Sequence, residues 1–344
     1  MKAEIAGYPV PLSRIESELA AIWRRGEGEG GMRASTMNLI VLTTRREFFE
    51  TFRHSVPEIS AHHPGRVLLV LCDAESDTAS IESTLSAFCQ IPGDSARQIC
   101  CEQINLETGR PGLEHLQGIA TPLLLPDLPV YFWIVESDLL TGLAGFESIA
   151  DRIIVKSPAR FESQEAFVRF SQRIRAVSRE GRISDMRWAG LTPWREAVAH
   201  FFDGSGGRER LDALYAVNIK SRELWTGALL LGGWLRSRLP AVESGREIRF
   251  SLQRRSGPEQ GFSVHLLTRD SDGGRVECRV SGRGAESLYA EIAGRHGIRP
   301  SKSISMRPPS TVRQLCDELD YLNADRIYLE SLTAAVEWQG GASP

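Results

Sequence analysis

Four places in this 344-residue chain carry side chains whose chemistry could amount to more than packing. The first is His62-His63-Pro64-Gly65-Arg66, between a helical stretch and an apolar run. Adjacent histidines cannot share one face of a regular element, which weakens metal chelation. Arg66 is suited to a phosphate or carboxylate, because its planar guanidinium donates two parallel hydrogen bonds. A solvent-facing turn is the plainer reading. The second place is Leu124-Leu125-Pro126-Asp127-Leu128-Pro129-Val130, where two prolines bracket Asp127 directly before an aromatic run. Proline fixes φ and gives a strand a rigid entry, so Asp127 is expected to cap a nearby backbone donor. As an active-site carboxylate it has no partner nearby in the sequence.

The third place is Arg187-Trp188-Ala189-Gly190-Leu191-Thr192-Pro193-Trp194-Arg195-Glu196. Thr192 reads as a helix N-cap, Pro193 as the first helical residue, and Arg195 falls in the first turn. Tryptophan and arginine anchor protein interfaces, yet a buried tryptophan is the commoner case, so Trp188, Trp194 and Arg195 stay open between core and docking surface. The fourth is Cys100-Cys101 followed by Glu102-Gln103. An exposed pair could act as a thiol sensor, but strand neighbours take opposite faces, so at most one looks toward solvent. Inert buried thiols are the expectation.

Familiar catalytic signatures do not occur: the sequence has no GxSxG, HExxH or P-loop, and no GxGxxG placed after a strand. The alternate glycines of Arg24-Arg25-Gly26-Glu27-Gly28-Glu29-Gly30-Gly31 resemble a phosphate cradle only superficially. Glu27 and Glu29 would repel phosphate and no strand precedes them, so this is a linker. Cysteines at 72, 89, 100, 101, 278 and 316 lack zinc-site spacing. No cofactor and no metal are expected. With 41 basic against 44 acidic residues the chain has no field that would favour nucleic acid or an anionic membrane. The run Leu224 to Leu239 is interrupted by Arg236 and Arg238, too short to span a bilayer, and the start Met1-Lys2-Ala3-Glu4 lacks the basic and apolar regions of a signal peptide. A cytoplasmic location follows as an expectation.

The elements that must position these residues read as two domains after an N-terminal helix and Gly/Glu linker over 1–37. From 38 to 180 short apolar runs alternate with helical stretches, which predicts an α/β domain with strands covered on both faces. Strands are expected at Asn38–Leu42, Arg66–Cys72, Ser86–Gln90, Gln98–Asn105, Val130–Val135 and Arg152–Lys156. Helices are expected at Arg46–Ser60, Leu113–Leu124, Leu143–Ile149 and Ser163–Ser178. Pro92-Gly93-Asp94 marks an antiparallel hairpin, so the sheet should be mixed. From 185 to 340 a helix at Pro193–Phe202, a core helix at Arg222–Leu239 and runs at Glu247–Arg254, Phe262–Thr268 and Arg275–Val280 predict an α+β domain. Its antiparallel meander would pack on helices, including two that start near Ser310 and Asp325.

Six blocks, in this order, resemble the OpcA family: Met37-Asn38-Leu39-Ile40-Val41, His63-Pro64-Gly65-Arg66, Ile99-Cys100-Cys101-Glu102-Gln103-Ile104, Leu124-Leu125-Pro126-Asp127-Leu128-Pro129-Val130, Ala150-Asp151-Arg152-Ile153-Ile154-Val155 and Leu191-Thr192-Pro193-Trp194-Arg195. The helix containing Gly232-Gly233-Trp234-Leu235 continues the resemblance. It implies a non-catalytic protein that binds glucose-6-phosphate dehydrogenase and promotes its active oligomer in the oxidative pentose phosphate pathway. Trp194, Arg195, the Pro126–Pro129 turn and the 24–31 segment are then the candidate contacts. The alternative is a sugar-phosphate-binding or hydrolytic domain using Arg66, Glu102 and Asp127 at strand ends. Convergence of those three groups on one pocket would mark it. A scaffold with vestigial nucleotide-binding topology is a third possibility.

Overall fold

The computed structural model describes residues 3–26, 31–32, 35–90, 98–141, 146–178, 182–203, 206–239, 248–254, 261–283, 286–295, 297–306 and 310–340. In chain order the first strands are β1 (Ala3–Pro9), β2 (Gly31–Met32), β3 (Met37–Thr43), β4 (Gly65–Asp73), β5 (Ile81–Gln90) and β6 (Gln98–Gly109). They continue with β7 (Val130–Ile134), β8 (Arg152–Val155), β9 (Arg160–Phe161), β10 (Ile183–Asp185), β11 (Ala216–Ser221) and β12 (Leu224–Trp225). The last are β13 (Arg249–Gln253), β14 (Phe262–Arg269), β15 (Arg275–Arg283), β16 (Ser287–Gly294) and β17 (Gly297–Ser305). Helices are α1 (Ile15–Gly26), α2 (Arg46–Arg53), α3 (Val56–His62), α4 (Leu113–Ala120), α5 (Phe146–Ile149) and α6 (Gln164–Val177). Then come α7 (Met186–Ala189), α8 (Thr192–Ala199), α9 (Gly207–Asp212), α10 (Thr226–Arg238), α11 (Thr311–Leu319) and α12 (Arg326–Gly340).

The chain forms two compact units, and more than one cut divides them. The first unit takes Met1–Lys156, Ala176–Ser184 and Ser310–Ala324; the second takes Ser157–Arg175, Asp185–Pro309 and Asp325–Pro344. The helix capped by Ser310 therefore goes with the first unit, where the sequence placed it with the second. Long-range contacts decide this: the Tyr131 hydroxyl donates to the Leu319 carbonyl at 2.8 Å, and Arg152 meets buried Glu318 at 2.8 Å. Neither partner is visible from the local pattern around residue 310.

In the first unit the strand order is β1-β5-β6-β4-β3-β7-β8-β10, with β2 beside β6. Strands β6, β4, β3, β7 and β8 run parallel, while β5 and β1 add to one side antiparallel. The sheet is thus mixed, as the hairpin reading required, although residues 91–97 that join β5 to β6 lie outside the described residues. Every residue of β3, β7 and β8 is buried. Helices on both faces explain why these strands read as unbroken apolar runs. The chain steps outward from β3 to one side and returns to β7 on the other. The topological switch therefore lies between β3 and β7.

Two expected helices are broken. Arg46–Ser60 becomes α2 and α3, separated at His54-Ser55 with Pro57 opening the second. Leu113–Leu124 becomes α4 and a short 3-10 turn containing Pro122. Proline lacks the N–H that would continue each helix. Strand β1 was not expected, and Ser13 makes no side-chain cap because it lies within a 3-10 turn, Leu12–Arg14, that leads into α1.

In the second unit a six-stranded sheet has the order β13-β11-β14-β15-β16-β17. Strands β14 to β17 form a four-stranded antiparallel meander in which β16 and β17 were not expected, while β13, expected within it, joins β11 in parallel. Val217, Ile219, Val264, Leu266 and Val280 fill the apolar face. The central helix α10 begins at Thr226; Leu224–Trp225 forms a short ladder with Arg160–Phe161 instead. Among the described residues no helix is long and apolar enough to cross a membrane.

Candidate functional site

Arg66 is the second residue of β4, and the parallel register sets it opposite Glu102 of β6. Its Nε donates to Glu102 at 2.6 Å, and its Nη1 donates to Glu16 of α1 at 2.5 Å and to the Leu123 carbonyl at 2.5 Å. Trp23, two turns along α1 from Glu16, donates its indole N–H to the other oxygen of Glu102 at 2.5 Å. The apolar stripe Ile15, Leu19 and Ile22 holds that helix down. Arg66 thus does bind carboxylates, as its chemistry suggests, but they belong to its own chain. The arrangement closes a buried charge cluster and leaves the guanidinium facing two neutralising groups.

Asp127 does not join them. It sits exposed on the proline-bracketed turn with φ of 60°, a left-handed conformation that aspartate tolerates better than most residues. Among the described residues its carboxylate has no hydrogen bond or ion pair. The expected capping of this turn comes from the far side: buried Asn38 accepts from the Leu125 N–H at 2.7 Å and donates to the Leu125 carbonyl at 2.9 Å. His63 lies 3.6 Å from Asp320. Burial holds its imidazole below the ordinary range.

All of these groups lie at the amino ends of the parallel strands, whereas ligands of open α/β sheets gather at the carboxyl ends near the switch point. There the structure places Glu136. This carboxylate, just past β7, accepts from the Thr44 N–H at 2.8 Å, the Thr43 hydroxyl at 3.2 Å and Arg45 Nε at 2.7 Å. An internal anion occupies the donors that such a crevice would offer to a phosphate. No sequence motif announces it.

In the second unit Trp188 and Trp194 are buried. Trp194 stacks on Phe262 with ring centroids 4.2 Å apart, and the Arg195 guanidinium lies 3.9 Å over the Trp188 ring while donating to Thr192 at 2.8 Å. Thr192 is the first helical residue and not the N-cap, which is Leu191. Next to them, fully buried Asp185 accepts from the backbone N–H of Arg187 at 2.8 Å and of Ser157 at 3.2 Å, and from the Tyr328 hydroxyl at 3.2 Å. Burial pushes the Asp185 carboxyl above its ordinary range. The two tryptophans are therefore core residues, and half-exposed Arg195 caps one of them.

One constellation went unread in the sequence. Ser263 and His265 are alternate residues of β14 and so share a face; the Ser263 hydroxyl is 2.9 Å from His265 Nε2, and His265 Nδ1 is 2.5 Å from Glu277 of β15. The order matches a nucleophile, base and orienting carboxylate. Ser263 is only 6% exposed, however, and sits in mid-sheet between β11 and β15, where the ladders engage the strand N–H groups that an oxyanion would need. The trio is suited to holding a proton in place. Alternate polar residues in the run Phe262–Thr268 were the available signal.

Burial holds the His265 imidazole below its ordinary 6.5, against the pull of Glu277. Burial opposes ionisation of Glu277, but His265, Lys220 and Arg275 outweigh it and hold that carboxyl below its ordinary 4.5. Both shifts mean that the unfolded chain binds more protons on the acid side. Stability is then full above pH 6.5 and declines as pH falls through and below that value. Urea unfolding of the wild type and of His265→Gln should show a smaller loss for the variant between about pH 7 and about pH 5.5. An unchanged slope would remove His265 from the explanation.

A cavity of about 680 Å³ opens beside edge strand β13, lined by Asn218, Arg236, Arg249, Phe250, Ser251 and Trp338, among others. Arg236 lies over the Phe250 ring at 5.7 Å, while Arg249, the strand neighbour of Phe250, belongs to the opposite face. The described cysteine thiols Cys72, Cys101, Cys278 and Cys316 are buried, and burial pushes each thiol up, Cys278 to about 11.

Comparison with known proteins adds what this geometry does not. Residues 56–172 match a family model described as glucose-6-phosphate dehydrogenase subunit N-terminal domain, and residues 181–332 match the corresponding C-terminal domain. An OxPP cycle protein OpcA of Synechocystis sp. is 32% identical over 185 residues, which are 53% of this chain and 38% of that protein. A second OpcA, from Synechococcus elongatus, is 31% identical over 191 residues, 53% of this chain and 41% of the relative. The chain thus spans less than half the length of these curated relatives. With both domain models present in their order, the chain belongs to the OpcA family of glucose-6-phosphate dehydrogenase assembly proteins.

Proposed function

We propose that this chain is a non-catalytic partner that binds glucose-6-phosphate dehydrogenase and stabilises its active oligomer, raising NADPH output of the oxidative pentose phosphate pathway. The observation that carries this reading is the presence of both family domains in one chain, over 56–172 and 181–332. The geometry is compatible with it. Arg66 and Glu102 neutralise each other, Glu136 fills the switch point, and Ser263 and His265 are buried, with Glu277 half-buried beside them. The reading places the chain in the cytoplasm with its partner.

A binding protein activates only by docking better to the active form than to the inactive one. Of the candidate contacts, the exposed Pro126-Asp127 turn and the half-exposed Arg195 are presented at the surface; residues 27–30 of the glycine-rich segment lie outside the described residues. The test is a titration of the purified chain into the dehydrogenase at two dehydrogenase concentrations. Activity should rise and saturate, with smaller activation at the higher concentration, where mass action already assembles the enzyme. A flat titration at both concentrations, with unchanged affinity for glucose 6-phosphate, would count against the reading.

A further inference from the structure

The cavity of about 680 Å³ beside β13 has the size of a small-molecule site, for which about 300–1,000 Å³ is usual. Strand β13 ends its sheet, so side chains from both of its faces border the opening. Register divides the lining into two halves. Parallel pairing sets Arg249 opposite Ala216 and Ser251 opposite Asn218, which puts all of these on one face. Phe250 takes the other face, where its ring lies 6.4 Å from that of Trp338 and under the Arg236 guanidinium. We propose that this cavity binds a nucleoside monophosphate, with the phosphate at Arg249 and Asn218 and the base beside Phe250 and Trp338.

Each half supplies contacts to a different part of that ligand. Among the described residues neither Arg249 nor Arg236 has an ion pair, whereas Arg279, on the same face of the sheet as Arg249, is neutralised by Glu291. A guanidinium without a carboxylate is suited to phosphate oxygens, which it holds with two parallel donors. The Asn218 amide is oriented for the same task. Its carbonyl oxygen accepts from the Ser251 hydroxyl at 2.7 Å, which leaves the NH2 group to donate. On the other face half-buried Phe250 keeps part of its ring open, and with Trp338 it gives a base an apolar wall. Glu337 borders the same cavity, also without an ion pair among the described residues, and can accept from an exocyclic amine or a ribose hydroxyl. Its charge repels further phosphates, which favours a monophosphate over a longer phosphate chain.

Inorganic phosphate would use one half of this lining and an unphosphorylated nucleoside the other. A molecule that engages both must carry an anion and a ring together. Its binding joins β13 to the last turns of α10 and α12, which carry Arg236 and Glu337. Strand β13 has a neighbour on one side only, so the ligand adds contacts where the sheet is least supported. Ligand binding to the folded chain alone should therefore raise its unfolding temperature.

The experiment is a calorimetric titration of the full chain with the monophosphates of adenosine, guanosine, cytidine and uridine, with the matching nucleosides, and with inorganic phosphate. At least one monophosphate should saturate the chain and bind about tenfold or more tightly than both its nucleoside and inorganic phosphate. Arg249→Gln and Arg236→Gln should each lower that affinity about tenfold, as expected for a lost charge-assisted hydrogen bond. Both arginines are exposed, so an unchanged unfolding temperature without ligand is expected of each variant. An azido analogue of the same nucleotide, irradiated with the wild-type chain, should label a peptide containing Phe250 or Trp338. The proposal is overturned if no monophosphate binds, if the nucleoside or inorganic phosphate binds as tightly, if either arginine variant binds like the wild type, or if the label falls elsewhere. Wild-type labelling decides the question even where a variant folds poorly, and none of these readouts involves the dehydrogenase.

Discussion

Replacing Arg66 with methionine should lower the unfolding free energy by about 3–5 kcal/mol, the cost of leaving a buried carboxylate without its cation. Both side chains of the Arg66–Glu102 pair are 3% exposed, so Glu102 cannot turn to water when the guanidinium is removed. The double variant Arg66→Met/Glu102→Gln should regain most of that loss, since it removes the charge with its partner. Glu16 is the internal control. It contacts the same guanidinium but is 56% exposed, so Glu16→Gln should cost no more than about 1 kcal/mol. Urea titrations read at constant slope give these values directly. A loss below about 1 kcal/mol for Arg66→Met would mean that solvent reaches the cluster.

Alanine placed at Gly233 should destabilise the second unit by about 1–3 kcal/mol, and alanine placed at Gly118 should stabilise by about 0.5–1 kcal/mol. The chemical change is the same; the surroundings differ. A Cβ on Gly233 would lie 2.0 Å from the Ser331 carbonyl oxygen and 2.8 Å from the Ala335 backbone nitrogen, so α12 must move away from α10. Around Gly118, exposed in α4, a Cβ meets nothing within 4 Å. There only the lower helix propensity of glycine remains to be relieved. Thermal unfolding of both variants checks the pair of signs. A neutral Gly233→Ala would show that the close approach of α10 and α12 is not required.

How far the fold could be read depended on whether a segment's neighbours were local. Strands β3, β4, β7 and β8 were legible to within one residue at each end, because burial on both faces leaves continuous apolar runs. Strands β16 and β17 were not. Arg295, Arg299 and Lys302 interrupt the apolar signal there, which is ordinary for strands near a sheet edge. The parallel pairing of β11 with β13 and the assignment of α11 to the first unit are long-range outcomes that no local period encodes.

The candidate site was legible only in parts. Arg66 and Glu102 could be named separately, but their meeting depends on the register of β4 with β6, and Glu16 and Trp23 depend on how α1 lies over those strands. Trp188 and Trp194 read as core, the commoner case, or as anchors until Phe262 and Tyr328 appear beside them. Arg195 follows from that outcome, since its place is over a ring already buried.

The most direct measurement is sedimentation of the dehydrogenase with and without a saturating excess of this chain, at a dehydrogenase concentration below its own assembly midpoint and with activity assayed on the same samples. A larger species that contains both proteins, appearing in step with the rise in activity, is the expected result. A dehydrogenase that sediments unchanged and gains no activity would contradict the proposed role.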